Sequence, residues 1–356
     1  MLHYETRIPT NLGLLLLSDF TVILPEIGKK ELIIADISLL RPNGSTITAD
    51  VLYNAGKVEG ITLWFNGLKL SGSKEHIIRI LKDSITIVNK KLEDIEIGDK
   101  LLLQGGFLDN QIYCPFIPIS LSDPGIFKSI PTLIQEKEAR FLAYLFCYGL
   151  PFSDKKKNLC LRFPDKNVYK NFVICCDEMQ LKYDKKDIVM EVNFKVNPIL
   201  LYLFESWGIF DNNQPFPEFL WRSPKSVVYN FLLIFFESFY HITTHRRLIA
   251  INILREFLFL KFGILVSDSD LNLDFNAQRL SEILRDFVID ENLSPFNHSI
   301  NQGRECFYMD ENECYFVLEV DNIAVNVFPV LDLMPIQNKP FNAGGSIWIH
   351  DPQLSN

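Results

Sequence analysis

Strand-type and helix-type patterns follow one another along this chain in an order that few architectures accept. Up to about residue 130, short β-type runs alternate with turn residues: FTVIL, KKELIIADI, STITADVLYN, ITLWFNGLKL, HIIRIL, SITIV and KLLLQ, broken by NG and GG steps. After Pro131 the period becomes helical over residues 132–150, and KNLCLRF and DIVMEVNFKV then read as strands. Three helical segments follow, NPILLYLFESWG, SPKSVVYNFLLIFFESF and HRRLIAINILREFLFLKFG. The second opens on Ser223 as N-cap with Pro224 at the first helical position, and Gly263 ends the third. From about residue 305 to 351 strand patterns return in CFYMD, CYFVLEV and IAVNVFPVLDL. The expectation is an α+β fold in which an all-β unit is split by an inserted α/β unit, with boundaries at 14–130, 131–304 and 305–351.

Composition sets what a motif here can mean. The 356 residues are 48% hydrophobic and 22% charged, enough apolar surface to bury ordinary cores. A formal charge of −9 provides no global basic field for phosphate backbones, so nucleic-acid binding has to come from a local patch. The seven cysteines, at 114, 147, 160, 175, 176, 306 and 314, form no CxxC pair and no His–Cys spacing for a tetrahedral zinc site. They are expected to be reduced thiols of an intracellular protein. MLHYETRIPTN lacks the basic start and apolar core of a signal peptide. The densest apolar stretch, Val227 to Phe239, is short of a bilayer and broken by Asn230 and Glu237, so no membrane is expected as a partner.

Inside the α/β stretch one apolar helix is written twice. FLAYLFCYGLPF (141–152) and FLLIFFESFYH (231–241) start ninety positions apart. Ala143 and Cys147, four residues apart on one helical face, allow a partner helix to come close, whereas the second copy has Ile234 in place of a small residue. At or near their ends both copies carry an aromatic, Phe152 in the first and Phe239 in the second.

These segments together resemble an intein, a Hint-type splicing fold interrupted by a LAGLIDADG (DOD-type) homing endonuclease. GLKLSGSKEHIIRI is similar to the motif that activates the first peptide bond in splicing, with Ser73 and His76 in its Thr and His places. LSDFTVILPEIGKKELIIADI resembles the opening, in a register that puts Leu14 or Leu15 where the nucleophile belongs. VLDLMPIQNKPFNAGGSIWIHD resembles the closing blocks, with Asp332 as the acid and His350 as the penultimate histidine. Asp351 stands there for the terminal Asn, and Pro352 for the residue that follows it. The resemblance implies a split all-β Hint-like domain and, between its parts, a pseudo-symmetric αββ LAGLIDADG-type domain. Its two apolar helices would meet at their ends and present one acid each to a divalent metal.

The chemistry that the resemblance implies is not matched by these residues. Splicing needs a nucleophile at each junction, a histidine to handle the proton, and an Asn that cyclises. Leucine and proline have no side-chain nucleophile, and a carboxylate cyclises less well than an amide. In the nuclease half Phe152 and Phe239 hold the acids' places, and apolar rings disfavour a divalent ion. Asp154 and Glu237 are the displaced acids nearest those positions, although two residues along a helix turn a side chain by about 200°. No metal ligands are assigned, no cofactor is expected, and magnesium enters only if nuclease activity survives. The candidates for DNA contact are Lys155, Lys156, Lys157, Arg162, Lys166, Lys170, Lys182, Lys185 and Lys186 on and around the first strands, with Arg246 and Arg247 in the second half. Asp165, Asp184 and Asp187 dilute that field. The expected function is therefore a degenerate intein/homing-endonuclease-like protein, inactive in splicing and DNA cleavage, that retains weak binding to double-stranded DNA. The alternative is a domesticated structural scaffold with a protein partner, which 29 Phe and an acidic balance suit.

Overall fold

A computed structural model describes residues 1–10, 12–20, 31–41, 45–83, 85–106, 131–149, 158–195, 198–210, 216–242, 244–266, 307–310, 313–335, 341–343 and 346–349. The chain divides into two compact units: residues 1–110, 255–272 and 292–356 form one, and 111–254 and 273–291 the other. The described elements make an α+β protein whose paired strands are all antiparallel.

The first unit begins with β1 (Leu2–His3), β2 (Arg7–Thr10), β3 (Gly13–Leu16), β4 (Glu31–Leu40), β5 (Thr46–Phe65), β6 (Leu68–Ser73), β7 (Ile77–Lys82), β8 (Thr86–Lys91) and β9 (Lys100–Leu103). The second unit then carries α1 (Glu136–Tyr148), β10 (Asn158–Arg162), α2 (Lys166–Glu178), β11 (Asp184–Lys186), β12 (Glu191–Lys195), α3 (Pro198–Ser206), α4 (Phe219–Arg222) and α5 (Lys225–Glu237). Helix α6 (Thr244–Phe262) starts in the second unit and ends in the first. The first unit is completed by β13 (Phe307–Asp310), β14 (Glu313–Glu319), β15 (Asn322–Pro335), β16 (Phe341–Ala343) and β17 (Ser346–Ile349).

Two sheets build the first unit. One runs β15-β1-β6-β5-β4-β2-β3, with β15 also paired to β5; the other runs β13-β14-β9-β17-β7-β8, with β16 on β17 and β7 also on β9. The hairpin β5–β6 is set by its two-residue loop, Asn66 and Gly67, both at positive φ (48° and 73°). That mirror-image turn carries the right-handed twist of the strands it joins. It fixes the pairing of Gly60 with Ser73. A side chain at Gly60 would run into the Gly72 carbonyl oxygen and the Phe328 ring. Strands β1 and β2, which the expected boundaries leave outside the β unit, are paired into its sheet. Short as β1 is, Leu2 pairs with Leu331 on one side and Gly72 on the other.

In the second unit the two apolar copies are partner helices. Helix α1 is buried almost all round, from Phe141 to Phe146 without a break, as a helix inside a core must be. It packs on α5 through the Phe146 ring, whose centroid lies 5.6 Å from that of Phe231 and 6.2 Å from that of Phe235. At the other end of the contact Ser226 Oγ donates to Glu136 at 2.8 Å. A three-stranded sheet, β10-β12-β11, turns Leu159, Leu161, Val192 and Phe194 inward. Between β10 and β11 comes helix α2, in a stretch whose lysines the sequence reading sets on and around strands. Asp165 starts it as N-cap, accepting from the Asn167 and Val168 amides at 2.6 and 3.2 Å, and Phe172, Cys175 and Cys176 form its inner stripe. No described helix is long and apolar enough to cross a membrane.

Candidate functional site

The register of β1 determines what lies beside Met1. Neighbouring antiparallel strands run in opposite senses, so one step back from Leu2 sets Met1 between Asp332 of β15 and Ser73 of β6. The hydrogen bonds follow that placement. The Ser73 amide donates to the Met1 carbonyl at 3.0 Å. The Met1 nitrogen donates to His76 Nδ1 and lies 3.9 Å from Asp332 Oδ1. A tight turn after β6 delivers the histidine: its amide donates to the Ser73 carbonyl at 3.0 Å, and its own carbonyl accepts from Leu92 at 2.8 Å.

Water is largely excluded from this cluster, with Ser73, His76 and Asp332 only 3%, 4% and 4% exposed. Ser73 Oγ is buried and has no hydrogen-bond partner among the described residues, so a hydroxyl donor is held there without an acceptor. The Met1 side chain packs, with Tyr53 and Val58, against the apolar cluster of Ala55, Phe328 and Val330. Methionine is well suited to fill such a gap, being unbranched and polarisable.

Leu14 and Leu15, which the sequence reading sets at the opening, do not lie beside Ser73 and His76. Leu14 and Leu15 lie on β3, paired with Pro9 and Ile8 of β2 and buried in the core, because the β2–β3 hairpin folds them inward. Met1, thirteen positions earlier than Leu14, holds the place beside Ser73 and His76. A leading methionine carries no chemical signal, and only the two-sided pairing of Leu2 reveals its position. His350, Asp351 and Pro352 lie outside the described residues.

Of the acids and aromatics on the apolar helices, Phe239 is fully buried, in edge-to-face contact with Phe235 at 5.8 Å, while Glu237 at the end of α5 is exposed. Phe152, Asp154, Lys155, Lys156 and Lys157 lie outside the described residues, as do the side chains of Arg246 and Arg247. The remaining basic candidates divide between surfaces. Arg162 and Lys186 pair with opposite sides of Glu191 and so share the polar face of the sheet. Lys185 falls on the other face by strand alternation, Lys166 and Lys170 stand on α2, and Lys182 is exposed in the loop before β11.

Glu191 is the residue of this region that the sequence reading misses. Its buried carboxylate accepts from Arg162 Nε at 2.9 Å, Lys186 Nζ at 2.8 Å and Asn193 Nδ2 at 2.9 Å. Those bonds, Asn193's foremost, hold its carboxyl down at about 2. A single acid at the centre of three strands, flanked by an Arg and a Lys, is the signal that could have found it.

No family model and no curated protein matches this chain. Among solved structures it is similar to the crystal structure of the TvoVMA intein, at 15% identity and a TM-score of 0.25 over 29% of this chain and 69% of that one. It is also similar to the transcription factor IIB Mvu mini-intein, at 15% identity and a TM-score of 0.23 over 30% and 71%. The Mja mini-intein of the same factor matches at 19% identity and a TM-score of 0.21 over 29% and 65%. Likeness at this level fixes neither family nor chemistry.

Proposed function

We propose that this chain is an intein-like, Hint-type β protein whose acyl-transfer site keeps its proton-handling groups and lacks a nucleophile, and whose second unit binds duplex DNA weakly without cutting it. The observation that carries this is the seat of Met1, with its nitrogen on His76 and Asp332 and its carbonyl on Ser73. In an acyl shift at such a site, the side chain of the first residue attacks the carbonyl before it. The nitrogen of the first residue then leaves and takes up a proton, while the carbonyl oxygen carries transient negative charge. His76 is placed to handle that proton, Asp332 to favour the positive charge that results, and the Ser73 hydroxyl to donate to an oxyanion. A thioether stops the sequence. It has no proton to lose, and acylating it would leave a sulfonium rather than a stable ester. The groups then serve to anchor the first strand.

The test is a fusion with a short peptide ahead of Met1, held in dithiothreitol at neutral pH. No release above the uncatalysed background is expected; release from the native sequence would overturn the proposal.

Duplex DNA is assigned to the polar face of the β10-β12-β11 sheet, where Arg162 and Lys186 stand opposite Glu191, and Asn193 and Lys195 follow on the same face of β12. Glu191 and Asp184 on the same face leave a small positive surplus, enough for a few phosphates and no more.

A further inference from the structure

We infer that the groove between α2 and the turn after β11 is a docking site for an acidic amphipathic helix of a partner protein. One wall is a single face of α2, on which Lys166, Lys170, Val173 and Ile174 recur at helical spacing. The other wall is Lys185 with Ile188, and between them lies a groove, open to solvent on one side, of about 720 Å³. That is room for several large side chains.

The groove is apolar in its lining and basic at its rim. Ile188 is 99% exposed and Ile174 54%, and Val189 beside the groove is 53% exposed, three bare aliphatic side chains gathered at one place on the surface. Lys166, Lys170 and Lys185 form no ion pair among the described residues. Asp187, the one acid of the lining, has its carboxylate bonded by the Tyr169 hydroxyl at 2.5 Å. Three lysines are thus presented on a chain of net charge −9. Apolar ridge residues flanked by carboxylates, as on an amphipathic helix, answer both features at once. Nucleic acid would match the lysines but gain nothing from Ile174 and Ile188. A bilayer would reach Ile188 but not the space between the walls.

The probe is a synthetic helical peptide of about five turns, with Leu and Phe along one stripe and Glu on both flanks. Its binding to the full chain is followed by fluorescence anisotropy, beside a scrambled peptide of the same composition. The amphipathic peptide is expected to bind, the scrambled one at least about tenfold more weakly. Ile188→Asp and Lys170→Glu should each weaken the amphipathic peptide by about tenfold or more. Both positions are on the surface, and unchanged circular dichroism and melting temperature would show that the fold is kept. The proposal is overturned if the amphipathic peptide does not bind up to about 1 mM, if the scrambled peptide binds equally, or if Ile188→Asp changes nothing. It is equally overturned if phosphatidylserine vesicles or a duplex oligonucleotide are captured in an Ile188-dependent way while the peptide is not.

Discussion

At the scale of single residues, two carboxylates explain most of what the polar chemistry here can do. Asp332 faces the Met1 nitrogen inside the cluster, and Glu191 ties Arg162 and Lys186 to one sheet. Glu191 gives a pH prediction with a definite sign. Its carboxyl is held near 2 in the folded chain, below its usual 4.5, so its stabilising effect is complete above about 4.5 and disappears as the pH falls toward 2. Acid titration of the melting temperature should therefore fall more steeply in the native protein than in Glu191→Gln over that window. At neutral pH the substitution should cost about 1 kcal/mol by denaturant unfolding, since its two cations are largely in solvent. Ser73 and His76 were legible as a pair because Ser-x-x-His is a local motif. Met1 and Glu191 were not, since each is defined by what a distant strand brings to it. Met1 meets Asp332 only through a pairing that spans nearly the whole chain.

At the scale of elements, periodicity carried far. Strands β4 to β9 and β13 to β15 and the helices α1, α5 and α6 follow from alternation and helical spacing, because one buried face per element leaves its period in the sequence, whereas the short β1, β2 and β3 left none and FTVIL lies almost wholly outside the described residues. Helix α2 escaped because its lysines read as part of a basic strand region, while its cap and inner stripe, Asp165 with Phe172, Cys175 and Cys176, are the local features that make it helical. Asp165→Ala should remove the cap and cost about 1 kcal/mol, seen in denaturant unfolding and in faster amide exchange over the first turn of α2. The α1–α5 contact is a larger contributor. Phe146 is fully buried against Phe216, Phe231 and Phe235, and Phe146→Ala should cost about 3–5 kcal/mol in urea unfolding. A loss under about 1 kcal/mol would show that the two apolar copies do not depend on this contact.

At the scale of the whole molecule, the mixed α+β character was legible, and the chain forms two units of which the first is assembled from separated stretches. The distribution of charge was not. A run of lysines along the chain is dealt by strand alternation and by α2 onto surfaces with different neighbours. If duplex DNA uses Arg162, Lys186 and Lys195, then log affinity against log salt should have a slope of about −2 to −3, and Lys186→Ala should reduce its size by about 1. A slope several times steeper would require a basic surface other than this one.

The central claim is that Met1 occupies the nucleophile's place in a site that is otherwise furnished. Its most direct test is to supply the nucleophile: Met1→Cys in a fusion with an upstream peptide, with thiol-dependent release followed by mass spectrometry. The expected result is release of the upstream peptide as its thioester with the added thiol, lost in the Met1→Cys, His76→Ala double variant. A folded Met1→Cys fusion that releases nothing, or a double variant that releases as fast as the single one, would contradict the account.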